Sequence, residues 1–310
     1  MANKKTILIT GVGGFLGSHV CERFVNAGYS VVGLYHSTKE KARHLEYKKN
    51  FKLAKVDIAN ARSVSNIVKR IQPAGVVHVA ALHSPKPIES VQSFFKANVQ
   101  GTLNLLEACR LHGVKTFVYS SSMSIYGTGV TELPVRETHP ARPYDFYSFT
   151  KLLGEQSCEF YAKTHSINVV VLRYVGAYGL RRYWGALANF TSNALQDAPI
   201  KIDNNINWDI VSAPDIARAN EQAFKKAGTL GFEIINIGSG KEVNIKELAE
   251  KIIRISKSAS NIVCGTKLAK NPASHFYFDI AKAKRLLGFK PTPLDKGLQQ
   301  YIGELKKYNV

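Results

Sequence analysis

Short apolar runs alternate with amphipathic stretches through the first half of the chain. The runs at 6–10 and 169–174 consist mostly of Val, Ile and Leu, which is typical of strands that are covered on both faces. Such strands occur in parallel sheets that are wrapped by helices. The same pattern predicts further strands at 29–35, 51–56, 76–79 and 116–120.

Helical periodicity separates these predicted strands. Apolar positions recur three and four residues apart in 14–27, 61–71, 91–112 and 147–164. Alternation of strand and helix on this scale predicts an α/β fold, namely a Rossmann-type doubly wound parallel sheet with helices on both faces.

The pattern changes after residue 175, where aromatic residues, asparagine and proline become frequent. It predicts helices at 210–226, 244–256 and 279–287, and a strand at 232–237. Asp215, which follows a proline, is the predicted cap of the first of these helices.

We expect two parts in this chain. Residues 1–175 would form a dinucleotide-binding Rossmann domain, and residues 206–238 would return to it. The remaining segments, 176–205 and 239–310, would form a smaller C-terminal α/β lobe that binds the substrate.

A glycine-rich turn follows the first predicted strand and opens the first predicted helix. Gly11, Gly14 and Gly17 allow a tight turn and close approach of the backbone to a pyrophosphate. The free amides and the dipole of the helix N-terminus favour the same anion. The turn therefore predicts a dinucleotide cofactor.

The residues after the second predicted strand indicate which dinucleotide binds. An acidic residue at this place grips the ribose hydroxyls of NAD, whereas small polar or basic residues accept the additional phosphate of NADP. Here Tyr35 occupies the position, followed by His36, Ser37 and Lys39. The sequence favours NADP, while NAD remains possible if Tyr35 stacks near the adenine.

Tyr147 and Lys151 begin a long predicted helix. Because residues four apart share a helix face, the phenol and the ammonium can face one pocket. The cation, together with an oxidised nicotinamide, would favour the phenolate and so lower the pKa of Tyr147. Tyr147 could then exchange a proton with a substrate alcohol or ketone. Ser122, at the end of a predicted strand, could hold the substrate oxygen.

These motifs stand in a longer ordered series that covers nearly the whole chain. Its further members are Asp57-Ile58, His78 to Ala81, Asn98 with the Val-Gln-Gly-Thr that follows it, Leu172-Arg173-Tyr174, Asn236 to Gly240 and Leu287 to Pro291. Together with the glycine turn and the Ser122, Tyr147 and Lys151 set, the series resembles the extended short-chain dehydrogenase/reductase family. That family includes sugar-nucleotide epimerases, dehydratases and reductases.

The resemblance implies roles for particular residues. Ser122, Tyr147 and Lys151 would be catalytic, and Lys151 would also bind the nicotinamide ribose. Ser122, Ser124, Tyr147 and Trp208 would contact the substrate. The implied cofactor-binding residues are Gly11, Gly14, Phe15, Leu16, Gly17, Tyr35, His36, Ser37, Lys39, Asp57, Ile58, Ala80, Ala81, Asn98, Ser120, Tyr147, Lys151 and Tyr174. His78 and Arg173 are expected to be structural, and a structural role is also expected for Asn98.

Departures from the family pattern bear on the substrate. Met123 and Ser124 stand where the dehydratases have an Asp-Glu pair, which disfavours dehydration and leaves epimerisation or simple reduction. Gly176 replaces a usual asparagine and Trp208 a usual arginine, and 268–272 has no arginine. Loss of arginine forks weakens standard diphosphate recognition. Replacement cations could be Arg181, Arg182 or Lys270, and the sequence does not choose among them.

Several functions stay open at this point. The first is hydride transfer at a sugar carbon, by a 4-epimerase or a 4-ketoreductase of a nucleotide sugar. The second is NADPH-dependent reduction of a small carbonyl compound without a nucleotide. The third is a non-catalytic relative that binds nucleotides or RNA. The intact Ser122, Tyr147 and Lys151 set argues against the third.

Composition and charge bear on whether the protein binds nucleic acid or metal and whether it spans a membrane. The formal charge of +19 could attract nucleic acid, yet the basic residues are scattered and no nucleic-acid motif accompanies them. Four widely separated cysteines lack metal-ligand spacing, so we expect no metal. No run approaches the ~20 apolar residues of a membrane span, which predicts a cytoplasmic protein. The family resemblance implies a homodimer through the helices at 91–112 and 147–164.

Overall fold

The computed structural model describes residues 6–83, 90–265 and 274–308. Within them the strands are β1 (Thr6–Thr10), β2 (Ser30–Tyr35), β3 (Phe51–Lys55), β4 (Gly75–His78), β5 (Thr116–Ser122), β6 (Asn168–Tyr174), β7 (Gly176–Tyr178), β8 (Ile200–Ile202), β9 (Ile206–Ser212), β10 (Phe232–Ile237), β11 (Glu242–Asn244), β12 (Ile262–Cys264) and β13 (Ser274–Phe276).

The helices surround these strands. They are α1 (Phe15–Asn26), α2 (Ala61–Ile71), α3 (Val91–Phe94), α4 (Gly101–Leu111), α5 (Phe146–His165), α6 (Ala186–Leu195), α7 (Ala213–Leu230), α8 (Ile245–Ser256), α9 (Ala281–Leu287) and α10 (Leu294–Tyr308). A π-helical segment, Phe95–Gln100, joins α3 to α4, so the helix predicted at 91–112 is interrupted. Among the helices described, none is both long and apolar enough to cross a membrane.

Seven parallel strands form the central sheet in the order β10-β6-β5-β4-β1-β2-β3. The order reverses at β1 and β4, and in sheets of this kind ligands bind outside the carboxyl ends of the strands at that point. This confirms the predicted Rossmann-type doubly wound fold. Ile7 and Ile9 pack into one apolar core and Leu8 into another, which explains why the strand sequence is continuously apolar.

A second, smaller part lies beyond β6. There β9 pairs with β7, β11 and β13, and β8 pairs with β12. Helices α6, α8 and α10 cover these strands around a third apolar core. We call this part the lobe, and the space between it and the carboxyl edge of the central sheet the cleft.

Residues 206–238 divide between the two parts. Strand β9 belongs to the lobe, whereas β10 pairs with β6 and α7 packs against β5, β6 and α1. The helix predicted at 210–226 was wrong at its start, because residues up to Ser212 are extended. Its cap is Ser212, whose hydroxyl accepts from the Asp215 amide (3.2 Å), and Asp215 lies in the first turn.

Candidate functional site

The glycine turn joins β1 to α1 beside the end of β4. Gly11 has φ +73°, and a Cβ added there would lie 2.7 Å from the Ala80 backbone. An added Cβ at Gly17 would overlap the carbonyl group of Gly11. Gly14 is the N-cap of α1 and makes no side-chain hydrogen bond to the first helix amides. These features leave a cradle for an anion at a helix N-terminus, and they fit the pyrophosphate of a dinucleotide.

A buried hydrogen-bond chain fixes the loop after β4. The Ala80 amide donates to Thr10 Oγ1 (3.1 Å), which in turn lies 2.7 Å from His78 Nδ1. Thr102 donates to the Asn98 carbonyl, so it accepts from His78 Nε2 (3.0 Å), and Nδ1 accepts from Thr10. His78 is therefore neutral and structural, as burial also indicates by lowering its pKa to about 3.

This neutral histidine makes stability depend on pH. The unfolded chain binds a proton at His78 below about pH 6.5, while the folded chain does not until about pH 3. The free energy of unfolding is therefore expected to fall as the pH falls through this window, by on the order of 1–2 kcal/mol between pH 6.5 and about pH 5 for His78 alone.

Urea unfolding across this pH range tests the effect. His78→Gln, which offers an uncharged donor and acceptor, should flatten the pH dependence. His36→Gln, which removes an exposed histidine, should leave it as in the wild type. An equal slope in all three proteins would contradict the prediction.

Asn98 shapes the same loop through its side chain. Its Nδ2 donates to the Leu82 carbonyl and to Thr150 Oγ1 (both 3.0 Å), and its Oδ1 accepts from the Leu82 amide (2.7 Å). The side chain is buried and its polar atoms are used by the protein. Asn98, which we predicted to bind cofactor, thus holds the loop that contains Ala80 and Ala81.

The residues predicted to bind the adenosine part lie at the ends of β2 and β3. Tyr35 is half-buried, and His36 and Ser37 are exposed. Lys39 forms an ion pair with Glu46 (3.0 Å) at the surface. Asp57 accepts from the Ala59 amide (2.9 Å). The described residues thus place polar groups, and no carboxylate, directly after β2. The Ile58 carbonyl accepts from Asn104 Nδ2 (2.9 Å), which fixes the backbone at that point.

The predicted catalytic residues meet where β5 ends and α5 begins. Asp145 and Ser148 form a reciprocal capping box that places Tyr147 in the first turn of α5. Lys151, one turn later, donates from Nζ to the Ser120 carbonyl (2.7 Å) and lies 5.9 Å from the Tyr147 ring centroid. Ser122, at the end of β5, lies beside the Tyr147 phenol and acts to lower its pKa.

Ser124 orients the Ser122 hydroxyl. Its amide and its hydroxyl both donate to Ser122 Oγ, at 3.2 and 2.9 Å. With two hydrogen bonds accepted, Ser122 has its own proton available to donate. This geometry directs the Ser122 proton toward Tyr147 and toward any oxygen bound beside it.

Burial is the main cause of the pKa shifts of Tyr147 and Lys151. It raises the pKa of Tyr147 to about 12, against the effect of Ser122. Burial also lowers the pKa of Lys151 to about 8, although Glu155 acts in the opposite direction. Our expectation of a lowered pKa for Tyr147 included an oxidised nicotinamide. The protein's own groups do not lower this pKa, because the ammonium does not offset desolvation.

A buried ion pair supports the helix that carries Lys151. Arg173 on β6 binds both carboxylate oxygens of Glu155, at 2.9 and 2.6 Å, and Ser121 donates to the same carboxylate (2.5 Å). Arg173 also donates to the Tyr126 hydroxyl (2.6 Å). Arg173 is thus structural, as expected. Sequence reasoning missed Glu155, although its place four residues after Lys151 could have indicated it.

Tyr174 is the last residue of β6 in the central sheet, and Trp208 lies on β9 in the lobe. The Tyr174 hydroxyl lies 3.1 Å from Ser120 Oγ and accepts from Asn220 Nδ2 (2.8 Å), so it is buried against protein. A Cβ added at Gly176 would lie 3.2 Å from Trp208 Nε1. The indole therefore fills the space that a side chain at 176 would occupy. Phe15 and Leu16 are the first residues of α1, beside the glycine turn.

Residues from two loops approach the same site. Sequence reasoning assigned no role to His83 or Trp184, and it left Arg182 as one of three candidate cations. His83 packs edge-on against Tyr147, with ring centroids 4.6 Å apart, and stacks on Trp184 at 5.3 Å. The Arg182 guanidinium lies 4.2 Å from the Trp184 ring centroid. Among residues 6–83, 90–265 and 274–308, no His, Cys, Asp and Glu side chains cluster as metal ligands.

Comparison with known proteins settles the family. Residues 7–238 match the model of the NAD dependent epimerase/dehydratase family. The chain belongs to this family. Its members are enzymes, and the chain is an NAD-dependent enzyme of the extended short-chain dehydrogenase/reductase type, as the resemblance implied.

Similar members of the NAD dependent epimerase/dehydratase family are sugar-nucleotide epimerases. The UDP-glucuronate 4-epimerase of Thermodesulfobacterium geofontis is 31% identical over 315 residues, which cover 97% of this chain and 96% of the relative. The UDP-glucose 4-epimerase of Thermotoga maritima, crystallised with UDP-glucose, has a TM-score of 0.86 at 28% identity and covers 98% of this chain and 100% of its own.

A third similar structure contains both ligands. It is the UDP-glucuronic acid 4-epimerase of Bacillus cereus in complex with UDP-glucuronic acid and NAD. Its TM-score is 0.85 at 29% identity, and the match covers 98% of this chain and 99% of that one.

Proposed function

We propose that this chain is a UDP-sugar 4-epimerase that keeps NAD bound through turnover. The observation that carries the proposal is the meeting of Ser122, Tyr147 and Lys151 at the carboxyl edge of the sheet, across from a glycine turn that fits a dinucleotide. The similar epimerases of known structure, with NAD or UDP-sugars bound, support the substrate class.

The proposed roles follow from the geometry of each side chain. Tyr147 takes the proton of the sugar hydroxyl and later returns it. Ser122, whose lone pairs accept from Ser124, donates to the same oxygen. Lys151 keeps a cation near the phenol and binds the nicotinamide ribose. The glycine turn and Lys151 would hold NAD, which would supply the hydride acceptor and donor for the carbon that bears this hydroxyl.

The positive charge of an oxidised nicotinamide bears on the proton transfer by Tyr147. The protein's own groups leave the pKa of Tyr147 at about 12, so the phenol holds its proton near neutral pH. A positive nicotinamide ring beside it favours the phenolate. We therefore propose that proton removal by Tyr147 is coupled to the oxidised state of the dinucleotide.

Turnover without added cofactor tests the proposal. Purified protein is mixed with UDP-glucose or with UDP-glucuronate, and the C4 epimer is measured by chromatography. An epimerase converts the UDP-sugar with no added dinucleotide, whereas a 4-ketoreductase leaves both UDP-sugars unchanged and consumes NADPH only when a 4-keto sugar nucleotide is supplied. NADPH consumption with a 4-keto sugar nucleotide, without epimerisation of either UDP-sugar, would replace the epimerase proposal by the ketoreductase.

The end of β2 predicts NADP instead, and NADP is the alternative to the NAD that we propose. The absence of a carboxylate directly after Tyr35 supports NADP, whereas the ion pair of Lys39 with Glu46 reduces the positive charge available to a phosphate. The dissociation constants of NADPH and NADH, measured with the same protein, test this prediction. Tighter binding of NADH would overturn the preference for NADP.

We also propose a homodimer through α4 and α5 and the π-helical segment before α4. Phe95 and Phe160 are 43% and 58% exposed there, and with Leu103 and Leu153 they line one shallow apolar groove. Phe160→Glu is expected to convert a dimer to a monomer in analytical ultracentrifugation, because it places a charge in this groove.

Tyr47→Glu is the matched control for the dimer, since Tyr47 is an exposed aromatic residue far along the chain from this groove. It should leave the sedimentation unchanged. A wild-type monomer, or a Phe160→Glu dimer, would contradict the interface. The cytoplasmic location stays a prediction.

A further inference from the structure

Arg182 lies in the turn between β7 and α6, beside the cleft. Its guanidinium donates through Nε to the Trp184 carbonyl oxygen (3.0 Å) and through Nη1 to that of Ala177. Both acceptors are neutral. In the described part of the chain, no carboxylate forms an ion pair with this side chain.

Aromatic rings hold the guanidinium between the two parts of the molecule. Its central carbon lies 4.2 Å from the Trp184 ring centroid and 5.6 Å from that of Phe15. Phe15 is the first residue of α1, directly after the glycine turn. The cation therefore sits where the cofactor turn faces the lobe.

The same rings connect Arg182 to the catalytic tyrosine. Trp184 stacks on His83 with an interplanar angle of 18°, and His83 packs against Tyr147 at 88°. A Cβ added at Gly185 would lie 3.1 Å from Arg182 Nη2, so the glycine lets the guanidinium reach the start of α6. No side chain caps that helix start, and its amides add positive potential beside the guanidinium.

The neighbouring arginine has different surroundings. Arg181 donates to a carboxylate oxygen of Glu22 (2.7 Å), which ties the same turn to α1. Arg182 is instead desolvated without an acidic partner, and burial lowers its pKa. A partly buried cation without a counter-charge is unfavourable until a ligand supplies one.

We propose that Arg182 binds an oxyanion of the substrate, a phosphate or a carboxylate group, in the cleft between Phe15 and Trp184. The inference rests on the proposed function, since it names the group of the sugar nucleotide that this turn recognises. Of the three cations that the sequence left open as substitutes for a lost arginine fork, Arg181 is engaged with Glu22 and Lys270 lies outside the described residues. A planar guanidinium suits either oxyanion, because it can donate two parallel hydrogen bonds.

Calorimetric titration of the NAD-loaded protein tests this role, because bound NAD fills the glycine turn. The probes are inorganic pyrophosphate, UDP-glucose and UDP-glucuronate. Arg182→Gln is expected to weaken binding by about 10- to 100-fold, the scale of a lost charge-assisted hydrogen-bond pair. Arg182→Lys, which keeps the charge and loses the fork, should weaken it by about 3- to 10-fold. The control, Arg254→Gln, removes an exposed arginine that pairs with Asp295 and should change nothing.

The three probes distinguish the two sources of the oxyanion. Weaker binding of all three to Arg182→Gln assigns the diphosphate, whereas weaker binding of UDP-glucuronate alone assigns the sugar carboxylate. Unchanged binding of all three, with NAD affinity and thermal unfolding as in the wild type, overturns the proposal. If Arg182→Gln fails to fold, the lysine variant decides in the same way.

Failure of the proposed function gives a separate result. A wild-type protein that neither binds nor converts UDP-sugars contradicts the epimerase, and the pyrophosphate titration then decides the role of Arg182 alone. A difference between the wild type and Arg182→Gln upholds the oxyanion site. The same affinity in both, or no binding to either, refutes it.

Discussion

Tyr147→Phe is expected to lower kcat by about 100-fold or more while the dissociation constant for NAD barely changes. The variant keeps the ring that packs against His83 and removes only the hydroxyl that faces Ser122. No base then remains in position to accept the proton of the sugar hydroxyl. In our proposal the dinucleotide binds mainly to the glycine turn and to Lys151, and the substitution leaves both in place.

Steady-state rates and fluorescence titration with NADH measure the two effects. Tyr144→Phe is the matched control, because Tyr144 is 65% exposed and lies three residues earlier in the chain. It should retain wild-type turnover. If Tyr147→Phe turned over at the wild-type rate, the assignment of Tyr147 as the proton-transfer residue would be lost.

Lys151→Met is expected to impair both the rate and the binding of NAD. Methionine nearly matches the length of the side chain but removes the ammonium that donates to the Ser120 carbonyl and lies near the phenol. Loss of the cation disfavours the phenolate, so kcat should fall by about 100-fold. Loss of the ribose contact should weaken NAD binding by about tenfold, the usual scale for a hydrogen bond to a charged group.

Steady-state rates and fluorescence titration with NADH distinguish the role of Lys151 from that of Tyr147. Lys163→Met on the same helix is the control, because Lys163 is 68% exposed and pairs only with Glu159 at the surface. Glu155 remains bound to Arg173 in Lys151→Met, so the variant leaves no unpaired buried carboxylate. Normal NAD affinity in Lys151→Met would refute the ribose role, and a normal rate would refute the catalytic role.

The sequence was most informative where pattern and packing agree. Buried parallel strands such as β1 and β6 read as apolar runs because both faces of the sheet are covered. It failed at β9, which contains the buried Asp209 and precedes a helix that Ser212 caps. Asp209 accepts hydrogen bonds from Ser239, Gly240 and Phe278, and these long-range partners are invisible in local sequence.

The candidate site also contains residues whose positions the sequence predicted and residues whose positions it did not. Spacing and motif order predicted that Ser122, Tyr147 and Lys151 would meet, because a helix face and a strand end set their positions. The approach of His83 and Arg182 depends on how two loops fold over the cleft, and no periodicity encodes that. The pKa of Tyr147 without the cofactor could not be predicted, because the charge of Lys151 was visible in the sequence and the burial of the phenol was not.

The path of the chain between sheet and lobe restricts how this enzyme can be divided. The polypeptide leaves the central sheet after β6, returns for α7 and β10, and leaves again for β11. A fragment that stopped at residue 175 would expose β6 as an open edge, with its apolar face stripped of α7. Exchanging lobes between relatives would therefore require recombination at three joints, one after β6 and one on each side of the returning segment.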